Sequence, residues 1–218
     1  MTTRRTALKL LVSVCTGLFA SVGRLGTGFR LVFAETTRLV LPKGTPLQAL
    51  ITRNPAALDT HNLDVTPLDE FGTMGQTRYR ISLADWRLNV DGAVDQPLRL
   101  TYTNLIARPA IERNVLLICP GFFAYLGHWR GVSAAGLLAE AKVRPEVTQV
   151  EFSGPKGWGG INQRFSIDEV DSDRVFLAYQ VNGAPLPQKH GFPLRLVAEG
   201  HYGTRWVKYV DKITAVSD

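Results

Sequence analysis

Leu116-Leu117-Ile118-Cys119-Pro120-Gly121 is the stretch that organises the chain. A short apolar run closed by a Pro-Gly turn has the pattern of a buried strand that stops abruptly. It leaves one sulfur at the strand end, where a bound group can reach it. The chain has two cysteines, Cys15 and Cys119. Cys15 lies inside the apolar N-terminal stretch Leu10–Val22. Once that leader is removed, Cys119 is alone and no internal disulfide can form. A lone thiol is buried and inert, reactive, or capped by a metal.

Working outward, strand signals flank this run. Trp86–Val90 alternates, and Asp91-Gly92 marks a turn; Leu98–Tyr102 reads as a further strand. Asn104–Ala107 reads as a short helix stopped before Pro109. Ser133 can cap a helix through Leu137, Leu138 and Glu140. Val147–Phe152 and Val175–Val181 are strands, the second followed by the Asn182-Gly183 turn signal. Leu194–Ala198 and Trp206–Val216 supply the last ones. Residues 65–76 form a loop containing glycines and acids, and Ser153–Gly160 forms a glycine-rich one. Many strands with few short helices predict an α+β domain, mostly mixed β-sheet.

The formal charge of +6 is unevenly placed. Arg4, Arg5, Lys9, Arg24 and Arg30 put five of those charges in the first 34 residues, which contain no acid. The rest of the chain is close to neutral, which argues against nucleic-acid binding. Thr3-Arg4-Arg5-Thr6-Ala7-Leu8-Lys9 before an apolar run resembles a twin-arginine export signal. Residues 1–34 are therefore read as a signal or anchor and 35–64, broken by Pro42, Gly44, Pro46 and Pro55, as an extended arm. Residues 65–218 are read as the functional domain. Periplasmic or other extracytoplasmic placement follows from the leader.

Near the C-terminus, Lys189-His190-Gly191-Phe192-Pro193-Leu194-Arg195 precedes Glu199-Gly200-His201-Tyr202-Gly203-Thr204-Arg205-Trp206-Val207-Lys208-Tyr209. Glycines let a backbone approach a ligand; Arg offers a planar fork and Lys a point charge. The set suits an anionic, heteroatom-rich ligand, and equally a solvated strand face with turn glycines.

Taken together, Cys119, Trp129-Arg130-Gly131, His190–Arg195, Gly203 and Trp206-Val207-Lys208 resemble the molybdopterin-binding domain of the sulfite oxidase family, over residues 65–216. The Asp69-Glu70-Phe71-Gly72-Thr73 loop and the leader are closer to its bacterial periplasmic branch, the catalytic subunit of protein-methionine-sulfoxide reductase. The resemblance implies a sulfite-oxidase-like fold holding Mo-molybdopterin. It implies that Cys119 is the catalytic position and the protein's ligand to molybdenum, since a thiolate suits such a metal. It implies cofactor contacts at Thr66, Asp69, Glu70, His190, Arg195, Trp206, Val207 and Lys208. The reductase branch carries asparagine where Thr66 and His190 stand; histidine at the latter position is what sulfite oxidases carry. A family threonine falls at Gly154.

The implied activity is oxygen-atom transfer to or from a small sulfur-containing substrate, a sulfoxide or sulfite. No Cys-x-x-Cys-His heme motif is present, so electrons would pass to or from a separate partner, a membrane heme subunit or a soluble cytochrome. The alternative from another class is a non-catalytic binding or structural module; the intact Cys119, Arg195 and Lys208 speak against it. Cys119 and His128 could make a nucleophile and base, but no orienting acid stands at a fixed place, and a solvent- or substrate-facing His128 is the plainer reading. Trp158, Phe122 and Tyr125 either pack or line the pocket. The acidic run Asp168, Glu169, Asp171 and Asp173 is a solvated face or a docking patch for a basic electron carrier.

Overall fold

A computed structural model describes residues 38–155 and 162–217. Residues 1–34, read above as a signal or anchor, and Trp158 lie outside the described residues. In chain order, β1 (Leu39–Val40) and β2 (Leu58–Asp59) pair in parallel. Next come β3 (Leu88–Gly92), β4 (Leu98–Leu100), α1 (Tyr102–Ile106), β5 (Ala110–Cys119), β6 (Phe123–Ser133) and α2 (Ala134–Glu140). They are followed by β7 (Gln149–Ser153), β8 (Gln163–Ser166), α3 (Ile167–Asp171), β9 (Val175–Val181), β10 (Ala184–Pro185), β11 (Arg195–Ala198) and β12 (Lys212–Val216). Two five-stranded sheets result. One runs β10-β9-β6-β5, with β11 also on β9; the other runs β4-β3-β12-β7-β8. In the second, β12 is parallel to β3 and antiparallel to β7. The fold is α+β with mixed sheet and short helices.

The Cys119 strand is longer than its apolar run suggests, because β5 and β6 form a hairpin paired from Ala110–Val132 through to Cys119–Phe123. Side chains alternate across a strand. Val115, Leu117 and Cys119 therefore enter the main core, while Leu116 and Ile118 point to the other face. There they join Leu126 and four arm leucines, Leu41, Leu50, Leu58 and Leu63. Burial on both faces explains why the run is continuously apolar rather than alternating.

Several local expectations shift. The helix expected from Asn104 begins at Tyr102, because Thr101 caps it, accepting from the Asn104 N–H at 3.1 Å; the preceding strand ends at Leu100. The strand expected over Trp206–Val216 starts only at Lys212. Before it, the chain lies beside β11 through two bonds at 2.8 Å, Leu196 N–H to the Val207 carbonyl and Val210 N–H to the Leu194 carbonyl. It then turns at Tyr209, whose φ is +57°. The acidic run contributes to α3, where Ser166 and Glu169 form a capping box. Glu169 also pairs with His201 at 2.7 Å, so this segment is in part a structural joint.

Candidate active site

A cleft of about 450 Å³ opens where the ends of β5, β6 and β11 meet the end of β7 and the 206–209 segment. Cys119 stands in its wall. Phe123 and Tyr125 flank it from β6, Phe122 from the hairpin turn, and loop 72–76 from one side. Arg195, Trp206, Val207 and Lys208 line it as well. The turn carrying the sulfur is held from outside the cleft: the Gly121 N–H donates to the Ile51 carbonyl at 3.1 Å.

Arg195 is 2% exposed, and its Nε and Nη1 have no hydrogen-bond partner. Its guanidinium lies 5.2 Å from the Trp129 ring centre and 5.5 Å from that of Trp206. Two aromatic faces thus hold a cation whose Nε and Nη1 are left unmatched. The Lys208 ammonium reaches Thr73 Oγ1 at 2.7 Å and the carbonyls of Met74 and Lys189, each at 2.9 Å. Burial, then the charge of Arg195, lowers its pKa from the usual lysine range to about 8. No carboxylate is among the described residues lining the cleft. The site is therefore electropositive and apolar at once. Burial raises the pKa of the Cys119 thiol. Burial does the same to the Tyr125 hydroxyl, while Arg195 beside it pulls it back down.

His190 sits one residue from Gly191, a left-handed glycine (φ +111°) where a Cβ would stand 3.1 Å from Lys208 Cβ and 3.2 Å from Arg195 Cβ. That close approach, in a conformation side chains disfavour, accounts for the glycine. His190 is 1% exposed, with its ring edge-on to Phe71 and both ring nitrogens unpartnered. Burial first, then Arg195, Lys189 and Lys208, lowers its pKa to about 3. The imidazole is neutral at any ordinary pH.

Five of the expected residues thus share one cleft: Cys119, Arg195, Trp206, Val207 and Lys208. His190 is buried beside the Gly191 corner and does not line the cleft wall. Thr66, Asp69 and Glu70 do not line it either. Thr66 is tied to β6, where its Oγ1 accepts from the Leu126 N–H at 3.1 Å. Asp69 and Glu70 lie on the short turn Leu68–Glu70, which leads through Phe71 into the lining loop. His128 faces a different cleft of about 520 Å³, bonded to Asn114 at 2.8 Å and near Glu112 at 3.4 Å; no Cys119–His128 dyad exists. Phe122 and Tyr125 both line the Cys119 cleft. Sequence reasoning passed over Thr73, Met74 and Gln76 as individual contributors; the glycines of loop 65–76 were the available signal.

Known proteins are similar to this chain. Residues 74–218 match the family described as oxidoreductase molybdopterin binding domain. The chain is 31% identical over 137 residues to the uncharacterized oxidoreductase YuiH of Bacillus subtilis, covering 62% of this chain and 68% of that one. It is 29% identical over 199 residues to the protein-methionine-sulfoxide reductase catalytic subunit MsrP of Gluconobacter oxydans, covering 74% of this chain and 63% of that protein. The sulfane dehydrogenase SoxCD from Paracoccus pantotrophus superposes with a TM-score of 0.61 at 27% identity, over 71% of this chain and 46% of that one. The chain thus spans about two thirds of the first two relatives and under half of the SoxCD chain.

The chain belongs to the oxidoreductase molybdopterin binding domain family, within the sulfite oxidase family. It is a molybdopterin-dependent oxidoreductase, with Mo-molybdopterin as its cofactor. The residues present fit that group. The cleft offers a soft thiol donor and two cations without a counter-carboxylate. The buried, unpartnered Arg195 nitrogens call for acceptor atoms. Among the described residues no cluster of three His, Cys, Asp or Glu could hold a metal ion.

Proposed function

We propose that this protein is an exported enzyme that moves an oxygen atom to or from a small sulfur-containing substrate, a sulfoxide or sulfite. The observation carrying this reading is the convergence of Cys119 with Arg195, Trp206, Val207 and Lys208 on one cleft. The names of two relatives, a methionine-sulfoxide reductase and a sulfane dehydrogenase, support chemistry at sulfur.

In this reading Cys119 holds molybdenum as a thiolate. Burial alone favours the protonated thiol; a bound metal would favour the thiolate instead. Arg195 donates its free N–H groups to the pterin's acceptor edge while Trp129 and Trp206 keep its plane fixed. Lys208, whose ammonium is engaged by Thr73 Oγ1 and the Met74 and Lys189 carbonyls, would lend its charge to the phosphate, and Trp206 and Val207 would present backbone groups to the polar edge. His190, being neutral, offers one donor and one acceptor rather than a charge. Contacts from Thr66, Asp69 and Glu70, which do not line the cleft, would require the segment entering loop 72–76 to shift toward the cofactor. Phe122, Phe123 and Tyr125 limit water at the sulfur. The bound group supplies two-electron cycling coupled to oxygen-atom transfer; the chain supplies orientation and charge balance.

Electrons pass to or from a separate partner, a membrane heme subunit or a soluble cytochrome. Export uses the twin-arginine leader at 1–34, with an arm at 35–64 and the functional domain at 65–218. The test is turnover of the matured, metal-loaded protein against sulfite and a panel of sulfoxides, with Cys119→Ala alongside. We expect turnover on at least one of these substrates and its loss in Cys119→Ala, with unchanged circular dichroism. Full turnover in that variant would contradict the assignment.

A further inference from the structure

Met74 is not used by the reading above, yet it touches the atom on which that reading depends. Its Sδ lies 3.2 Å from Cys119 Sγ. Met74 is also 47% exposed, so the same side chain meets solvent on one side and the thiol on the other. Apart from Met1 it is the chain's sole methionine. Its loop is fastened from below: Lys208 Nζ binds Thr73 Oγ1, the Met74 carbonyl and, at 3.4 Å, the Gln76 carbonyl. Thr73 Oγ1 donates in turn to the Lys189 carbonyl at 3.1 Å. A thioether is thereby held as a cover over the thiol.

An exposed thioether is open to small two-electron oxidants, and its sulfoxide is polar where the thioether is apolar. We propose that Met74 is an oxidation-sensitive cover on Cys119: conversion of its thioether to the sulfoxide by a peroxide moves loop 73–76 off the sulfur and switches the enzyme off. The Met74 sulfur lone pair takes one oxygen atom from the peroxide. The O–O bond breaks, water leaves, and the sulfur is oxidised by two electrons.

Toward Cys119 the new oxygen has no room, because the two sulfurs are already in contact. On its exposed side water can take the S=O, which draws the side chain outward, away from the thiol. Arg195 Nε and Nη1 are unpartnered donors in the same cleft, whereas the Lys208 ammonium is engaged by loop 73–76 and the Lys189 carbonyl. The Arg195 groups are assigned to the cofactor in the reading above, so a sulfoxide that recruits them competes with it.

The inactivation half of this inference rests on Cys119 being the reactive position; the cover itself does not. The test therefore has two arms. The metal-loaded enzyme is exposed to hydrogen peroxide, and oxygen gain on the Met74 peptide is followed by mass spectrometry beside turnover and molybdenum content. We expect Met74 to gain one oxygen as turnover and metal fall together, and Met74→Leu to keep its own starting turnover through the same exposure.

The second arm uses metal-free protein never exposed to oxidant, and reads the rate at which iodoacetamide alkylates Cys119. In Met74→Gln a polar side chain of similar length stands in for the sulfoxide. Its alkylation rate should rise at least about tenfold over wild type, whereas Met74→Leu should stay within about twofold, since an apolar side chain of similar volume is well tolerated. Thermal midpoints confirm that both variants fold. Three results would overturn the proposal. Met74 could resist peroxide in the folded protein while oxidising in urea. Met74→Leu could lose turnover as fast as wild type. Both variants could alkylate alike. A protein without turnover would still be judged by the second arm.

Discussion

Arg195 shows how much of the site rests on single side chains. Its planar cation is held by two indoles and fully buried, so Lys is not an equivalent: a point charge cannot stack or present a fork. Arg195→Lys should lower pterin content of purified protein by at least about tenfold, on the order of a lost charge-assisted hydrogen bond, as read by fluorescence of the oxidised, released pterin. His190 makes a pH prediction. Its folded pKa of about 3 lies below the ordinary 6.5, so the unfolded chain binds more protons between those values. Stability is fully present above pH 6.5 and falls as the pH drops toward 3. In cofactor-free protein, His190→Asn should flatten that slope by up to one proton, about 1.4 kcal/mol per pH unit; denaturant melts across pH 3–7 would show it, and an unchanged slope would contradict the burial account. At this scale Cys119, Arg195 and Lys208 were singled out by the family resemblance; read alone, the cation cluster fitted a solvated strand face at least as well. The role of loop 73–76 was not. It meets Lys208 largely through carbonyls, and backbone groups leave no mark on residue identity.

The β5–β6 hairpin is the element that aims the sulfur, and only half of it was readable. β5 announced itself by its apolar run, and β9 matched its expected limits, Val175–Val181. β6 was missed because Gly127, His128, Arg130 and Gly131 break any apolar pattern. The glycine at 131 is nonetheless required: a Cβ there would stand 2.0 Å from the Leu177 carbonyl oxygen, beside the irregularity between Arg130 and Gly131 in the β6–β9 pairing. Gly131→Ala should therefore force β6 away from β9 and lower the thermal midpoint. A wild-type midpoint would show that the strands separate without cost. The short turn Leu47–Leu50 acts on the hairpin from the far side, through Leu50 in the second cluster. Leu50→Ala should destabilise the fold by about 2–5 kcal/mol, the usual range for a buried leucine, as measured by urea denaturation. A smaller loss would mean that the arm rests on the sheet without being packed into it.

At the scale of the molecule, the site depends on chain outside the segment that matches the family. That match begins at residue 74, yet residues 41–63 cover the outer face of the Cys119 strand and Ile51 holds the Cys119 turn. Two sheets bring the sulfur, from one, together with the segment leading into the last strand of the other, and the cleft is their shared edge. The sequence pattern conveyed most of the strands, though not β6, and the cation cluster. It could not convey that join, which depends on the parallel pairing of β3 with β12 across most of the domain. The central claim is that this join delivers one protein sulfur to molybdenum. X-ray absorption at the molybdenum edge of the matured protein tests it most directly. The account predicts one sulfur fewer in the metal's first coordination shell in Cys119→Ser than in the unaltered enzyme; an identical sulfur count in the two would contradict it.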